Sequence, residues 1–501
     1  MNFVFMNDGK NIAVIGSGFS GLASATLLAQ HGFDVTIYEK NNQVGGRARV
    51  LSDSGYTFDM GPSWYWMPDV FEKYFSNFNK KVKHFYELKL LSPSFRVYFG
   101  KNDFIDVPSS PAEIAELFAQ LEPGGADKFK KFISDAETKY KIGMQQLVYS
   151  PSISILEFAS LSLLNQVMNI SVLRSLHSDV KKYFSNPRAL ALLEFPVLFL
   201  GATAEKIPSL YSLMDFAAYE LGTWYPVGGF SKISGGMMDL AESFGVKVQT
   251  GEAIEKLEVS GNRISLLRTR KEEITADAVI GAADYAHTEQ LLDEEFRNYS
   301  GDYWKKKTFA PSALIFFLGV KKKISGLIHH NLFFDESLKE HAEEIYENPQ
   351  WPRKPLFYVC CTSKTDDTVA PEGHENLFVL IPIATGLKDD ESVREKYFQL
   401  IINRLEENTG EEILSHIEFK KSYSINDFTS DYNSYGGNAY GLANTLRQTA
   451  FMRPKIINRK VENLFYCGQL TVPGPGVPPA LISGQIAAQQ VINYFKKQKR
   501  K

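Results

Sequence analysis

The segment from residue 11 to residue 39 constrains this chain most. An uncharged run rich in Ile and Val, Asn11-Ile12-Ala13-Val14-Ile15, ends at Gly16, and such a run suits a parallel strand buried on both faces. From Phe19 to His31 apolar residues recur at helical spacing, with Leu22, Ala25 and Ala29 on one face and Gly32 at the expected stop. Asp34-Val35-Thr36-Ile37-Tyr38-Glu39 reads as a second strand. This β-α-β order sets Gly16, Gly18 and Gly21 at the strand-to-helix turn, where a G-x-G-x-x-G spacing has structural meaning. Gly16 makes the tight turn, Gly18 lets the backbone approach a pyrophosphate, and Gly21 lets the helix pack closely on the strand. The helix that opens at Phe19 turns free N–H groups and a partial positive charge toward those phosphates. Glu39, 21 residues after Gly18, accepts hydrogen bonds from both ribose hydroxyls of an adenosine and repels a 2′-phosphate.

Length and composition close off other classes. The 501 residues, 44% hydrophobic and 13% aromatic, suffice for two or three domain-sized units and exclude both a small disulfide scaffold and a disordered chain. A formal charge of −3 gives no reason to expect nucleic acid as partner. The three cysteines, Cys360, Cys361 and Cys467, fit neither a secreted framework nor a zinc spacing, so the reading is a reducing cytosol with no metal. The first ten residues lack the basic and apolar regions of a secretory signal, and no run reaches the length of a membrane span.

After Glu39 and Lys40 comes Val44-Gly45-Gly46-Arg47, which an NAD site does not require. Glycine turn, acidic strand end and Gly-Gly-Arg together resemble the FAD-binding segment of the superfamily that holds amine oxidases, protoporphyrinogen oxidases, Rab escort proteins and carotenoid desaturases. The resemblance implies that Gly45, Gly46 and Arg47 lie along the cofactor, where a guanidinium fork suits a diphosphate. Gly55-Tyr56-Thr57-Phe58-Asp59-Met60-Gly61-Pro62-Ser63 resembles the family's F-D-x-G-P-[ST] segment and places Gly61, Pro62 and Ser63 near the isoalloxazine. Trp64, Tyr65 and Trp66 follow; they either line a channel for a long apolar substrate or belong to the core.

The resemblance narrows around Gly222-Thr223-Trp224-Tyr225-Pro226-Val227-Gly228-Gly229, which is similar to a segment of bacterial-type phytoene desaturases. It implies a helix that includes Met237 to Phe244, a strand over 246–250 with Val248 beside the adenine, and a backbone contact at Ala283 in A-D-A-V-I-G-A-A-D. His287 nearby is a candidate base, although a lone histidine at a strand end is more often a satisfied polar group. Gln448, Phe451, Arg453 and Pro454 parallel a desaturase Q-x-x-F-x-R-P-like run, and Thr471-Val472-Pro473-Gly474-Pro475-Gly476-Val477-Pro478 resembles the family's T-x-P-G-x-G-V-P. Gly468, Gly476, Val477 and Pro478 then contact the flavin, and a helix from Ala480 to Phe495 turns its positive end toward the pyrimidine edge. Gln469 replaces the Asp of many relatives, and Cys467 is not placed for covalent attachment, so the expected FAD is non-covalent.

The expected fold is α/β: a Rossmann-like doubly wound FAD domain built from residues 1–71, 226–300 and 436–501, interleaved with an α+β substrate domain. That second domain takes a helical, lipid-facing region, 72–225, and a sheet-and-helix region, 301–435. Within the former, Pro151 to Leu173 reads either as an interfacial helix or lid or as a buried helix pair. The apolar run from Ala189 to Gly201 offers a tunnel wall, with Phe195 and Phe199 as candidate substrate contacts. The basic tail, 496–501, suits either an anionic membrane surface or plain solubility. The resemblance implies a carotenoid desaturase, phytoene desaturase first and a 3,4-desaturase of a hydroxylated carotenoid next. Its partner is a hydrophobic polyene, its place the cytoplasm at the inner face of the cell membrane, and its oligomeric state is left open. A non-catalytic prenyl-binding escort is the alternative from another class, and retinoid saturation or isomerisation a minor one.

Overall fold

The computed structural model of the chain describes residues 9–152 and 174–500. Five parallel strands form the nucleotide sheet in the spatial order Leu464–Tyr466, Ala278–Gly281, Asn11–Ile15, Asp34–Glu39, Lys247–Thr250. The central strand is buried on both faces because its side chains alternate between two cores. Ile12 and Val14 join Leu22, Leu28 and Leu481 on the helix side, while Ala13 and Ile15 join Leu257, Leu267 and Val279 on the other. The helix side carries helices Phe19–Gln30, Ser231–Ser243 and Val477–Gln498. The opposite face is covered by an antiparallel meander, Lys256–Ser260, Arg263–Arg268 and Glu273–Ile274. First and last helices touch backbone to backbone: a Cβ on Gly484 would stand 2.2 Å from the carbonyl oxygen of Ser20. Only glycine permits that approach.

The second sheet has seven strands, in the order Ile417–Tyr423, Ser312–Val320, Glu375–Ile383, Phe357–Cys360, His330–Phe333, Phe95–Gly100, Asp103–Val107. All neighbours are antiparallel except His330–Phe333 with Phe95–Gly100. Ser312–Val320 is buried at every position. Ala313, Ile315 and Phe317 face the main core, whereas Leu314, Phe316 and Leu318 pack under helix Glu391–Thr409 through Phe398, Ile401, Ile402 and Leu405.

Two expectations change here. The region 72–225 is not purely helical: Phe95–Gly100 and Asp103–Val107 leave it to form one edge of the second sheet. The two strands form a local antiparallel hairpin, in which Arg96 between Phe95 and Val97 is held by Asp106 across the ladder at 2.6 and 2.8 Å. The helix expected from Ala480 begins at Val477, with Pro478 in its first turn where a missing N–H costs nothing, while the one expected to include Met237 to Phe244 runs Ser231–Ser243 with Phe244 at its C-terminal cap. Residues 153–173, which carry the lid-or-helix-pair expectation, lie outside the described residues.

Candidate flavin and polyene site

The site starts from a turn. Gly21 lies in the first helical turn over the end of the first strand, and a Cβ there would sit 2.0 Å from the Gly16 carbonyl oxygen. The glycine lets the helix start close against the strand, which leaves Gly16 and Gly18 as bare backbone at its N-terminus. The Gly45-Gly46 turn folds onto them through a hydrogen bond from Gly45 N–H to the Ser17 carbonyl, 3.0 Å. Glu39 is buried at the end of its strand. Its Oε2 accepts from Ser17 N–H (2.9 Å) and Ser17 Oγ (2.8 Å), and its Oε1 from Asn41 N–H (2.9 Å). Lys40 turns outward to Asn433 Oδ1 at 3.0 Å.

Arg47 follows the Gly-Gly turn with its guanidinium 4.9 Å from the Tyr432 ring centroid and one Nη donating to the Asn438 carbonyl at 3.2 Å. Burial pulls its pKa down, opposed by Tyr432 and Asp284. Its Nε–H is buried without a partner, an unmet donor on a cavity wall of the kind that a bound anion satisfies.

One cavity of about 730 Å³ unites these groups, a volume typical of ligand sites. Its wall includes Gly16, Gly18, Phe19, Glu39, Lys40, Gly45, Gly46, Arg47, Gly61, Pro62, Ser63, Ala283, Gly468, Gly476, Val477 and Pro478. The same cavity takes in Trp64, Trp66, Leu147, Leu213 and Met214, an apolar wall built from side chains.

Four expected residues stand elsewhere. Gly21 packs the turn and does not reach the cavity. Tyr65 faces away from it because extended backbone alternates its side chains: Trp64 and Trp66 point one way, while Tyr65 stacks on Phe71 at 4.5 Å and pairs with Tyr86 Oη at 3.0 Å. Phe195 is fully buried behind the tryptophans, 5.8 Å from Trp64 and 4.9 Å from Phe95 between ring centroids. Val248 is paired in mid-strand with Ile37, and the cavity is reached instead by Ala253 and Ile254 just beyond that strand. The side chain of Phe199 lies outside the described residues.

The model of the family described as flavin containing amine oxidoreductase matches residues 19–492. The chain is 38% identical over 486 residues to a carotenoid 3,4-desaturase of Haloarcula japonica, covering 97% of this chain and 98% of that protein. It is 30% identical to a zeta-carotene-forming phytoene desaturase of Myxococcus xanthus, covering 97% and 94%. The chain belongs to the flavin-containing amine oxidoreductases, in their carotenoid desaturase branch. An oxidoreductase of Methanosarcina mazei has the same fold at a TM-score of 0.63 and 17% identity, covering 96% of this chain and 100% of that one. FAD is the cofactor that this membership brings, and the leftover Arg47 donor and the glycine-lined wall fit it.

Other desaturase motifs prove to be scaffolding. Asp59, of the F-D-x-G-P segment, accepts from Phe230 N–H at 2.8 Å and so ties that segment to the Gly228-Gly229 turn. Burial pushes its carboxyl up to about 7. Asp366, which no motif marks, holds the same turn by accepting from Gly228 N–H (2.7 Å) and Tyr225 Oη (3.0 Å). His287 does line the cavity beside Lys40, with Nε2 3.0 Å from Asn433 Nδ2. Burial, and then the Lys40 charge, lower it to about 4, so it stands neutral among groups at the Glu39 end. Cys467 is buried, off the cavity wall, and pushed up to about 12 by burial.

Sequence reasoning missed Tyr358, Tyr432 and Tyr211 on the cavity wall. Tyr358 Oη donates to Ser63 Oγ (3.0 Å) and shares a hydrogen bond with His330 Nδ1 (2.6 Å), and Trp64 stacks flat on His330 at 4.0 Å. His329, His330 and Cys360 bring ligand-type atoms within 4.8 Å of one another there. Burial lowers both imidazoles and pushes the Cys360 thiol up to about 12, and His330 is the member that backs Trp64. Among the described residues no helix is long and apolar enough to cross a membrane.

Proposed function

We propose that this chain introduces a carbon–carbon double bond into a carotenoid near an end of the polyene, as a 3,4-desaturase does, with FAD held non-covalently. The observation that carries the reading is the continuity of one cavity between a backbone wall suited to a dinucleotide and a side-chain wall suited to a hydrocarbon. The sequence expectation puts phytoene first. Higher identity to the Haloarcula protein than to the Myxococcus one supports the other of its two substrates. Tyr211 Oη and Thr449 Oγ1, 3.4 Å apart on the cavity wall, add a hydrogen-bonding spot suited to a hydroxylated end group.

Removing two hydrogens from a CH–CH bond beside a conjugated polyene takes away a hydride and a proton and leaves one new double bond. FAD, when bound, supplies the acceptor for the hydride. The chain's own part is to hold and to exclude: Glu39 and the Gly16–Gly18 turn fix the adenosine and diphosphate end, and Arg47 meets the anionic charge. Trp64, Trp66, Leu213 and Met214 orient an uncharged chain and keep water from the reacting carbons. Exposed Phe451 and Met452, with Phe451 on the cavity rim, suit contact with the membrane in which such substrates dissolve.

Expression in cells that make either phytoene alone or a hydroxylated, already conjugated carotenoid tests the reading. New pigment absorbing at longer wavelength is expected in the second background. Consumption of phytoene alone would move the assignment to phytoene desaturation. A flavin-loaded protein that changes neither pigment would remove the desaturase reading and favour the escort.

A further inference from the structure

Most partly or fully buried arginines in this chain have a carboxylate. Arg96 forks Asp106 at 2.6 and 2.8 Å, Arg394 forks Asp389 at 2.7 and 2.6 Å, and Arg404 meets Asp335 through both Nε and Nη. Arg453 is more deeply buried than any of these, 2% exposed, and its acceptors are all neutral. They are the carbonyls of Gln469 (3.3 Å) and Leu442 (3.0 Å) and the side-chain oxygen of Asn444. Its Nε–H is buried without a partner. Among the described residues, the charged or titratable groups around it are Tyr211, Tyr303 and a second cation, Lys307, and no carboxylate pairs with it. Burying a lone charge is costly unless an opposite charge enters the same region.

The position of Arg453 says where that charge arises. Asn444 and Gln469, which it holds, line the cavity. A Cβ on Gly474 would stand 3.2 Å from the Arg453 guanidinium carbon, and Pro473, Pro475 and Gly476 on either side of Gly474 are cavity wall leading into helix Val477–Gln498. The guanidinium therefore stands one residue layer behind the wall at that helix N-terminus.

We infer that Arg453 is a positioning residue for charge: from behind this wall it stabilises the negative charge that the bound flavin acquires on taking up a hydride. This rests on the flavin reading of the same cavity. The guanidinium adds a full charge to the partial one at the helix end.

Sulfite titration of the purified, FAD-loaded full chain tests this without carotenoid. Sulfite donates its sulfur lone pair to flavin N5, an N–S bond forms, nothing leaves, and the ring gains the negative charge, bleaching its visible band. Arg453→Gln removes the charge and keeps an amide donor; Arg453→Lys keeps the charge and loses the fork. Sulfite affinity is expected to fall on the order of tenfold in Arg453→Gln. The two-electron midpoint potential should fall with it by about 30 mV, and Arg453→Lys should recover most of both. Asn444→Asp, nearly isosteric, neutralises Arg453 in place and is expected to weaken sulfite binding in the same direction even if Arg453→Gln does not fold. Unchanged sulfite affinity and potential in Arg453→Gln, with only a lower melting temperature, would overturn the inference and leave Arg453 as a strap between loops. A wild-type chain that takes up no FAD would overturn it together with the flavin reading, and is distinguished by having no visible band at all.

Discussion

The two halves of the cavity are made of different material. On the nucleotide side the wall is backbone, Gly16, Gly18, Gly45, Gly46 and Gly468, at the ends of short parallel strands. On the polyene side it is side chain, Trp64, Trp66, Tyr358 and Met214, in front of long antiparallel strands such as Ser312–Val320 and Glu375–Ile383. A backbone wall keeps its shape whatever the side chains do, and a Cβ on Gly16 would already press on Ala283 N at 3.1 Å. A side-chain wall can be recut residue by residue, which is how one cofactor domain serves many substrates.

Substitutions can break this contrast, and the largest effect belongs to the glycine that packs behind the backbone wall and seats its helix against the first strand. Gly21→Val places atoms where a Cβ alone would be 2.0 Å from a carbonyl oxygen, and is expected to cost more than about 3 kcal/mol and to abolish FAD binding. The yield of soluble yellow protein and its thermal melt check this; retention of flavin at wild-type stoichiometry would contradict it. Trp64→Ala, on the other wall, removes the ring stacked on His330 and is expected to cost roughly 3 kcal/mol while FAD stays bound. Denaturant unfolding beside a flavin count separates the two quantities, and coupled loss of both would show the walls to be one unit.

The smallest expected effect is common to both halves. Burial lowers His287, on the nucleotide side, and His341, on the other, to about 4. Their folded pKa values lie below the ordinary 6.5, so the unfolded chain takes up protons first as pH falls. Stability is then complete above about pH 6.5 and drains away toward about pH 4, by about 1 kcal/mol per pH unit for each histidine. Melting curves through that window should slope less for His341→Gln than for wild type; equal slopes would contradict the assignment.

The same contrast explains what could be read from the sequence. Gly16, Gly18, Gly45, Gly46 and Arg47 are legible because a backbone wall demands glycine at fixed spacing close along the chain. The polyene wall demands only bulk, which Tyr358 and Met214 share with any core residue. Trp64, Tyr65 and Trp66 are identical as a composition signal, and only the direction of an extended segment assigns two to the cavity and one to the core. The hairpin 95–107 is a local unit, but its place at the edge of the second sheet escaped because the strand it docks on, His330–Phe333, lies more than two hundred residues away. Arg453 sits in a recognisable motif, but its burial without a carboxylate is a property of the folded chain.

The contact between helices Phe19–Gln30 and Val477–Gln498 also sets a timetable for synthesis. The first strand and helix leave the ribosome well before the strand Ala278–Gly281 that pairs with the former, the strand Leu464–Tyr466 beyond it and the helix that seats Gly484 against Ser20, which come hundreds of residues later. At about 5–20 residues per second, the nascent βαβ unit waits roughly 20 to 90 s with its apolar faces uncovered. The dinucleotide cradle is thus completed only after the segment that carries Gly484 has been translated.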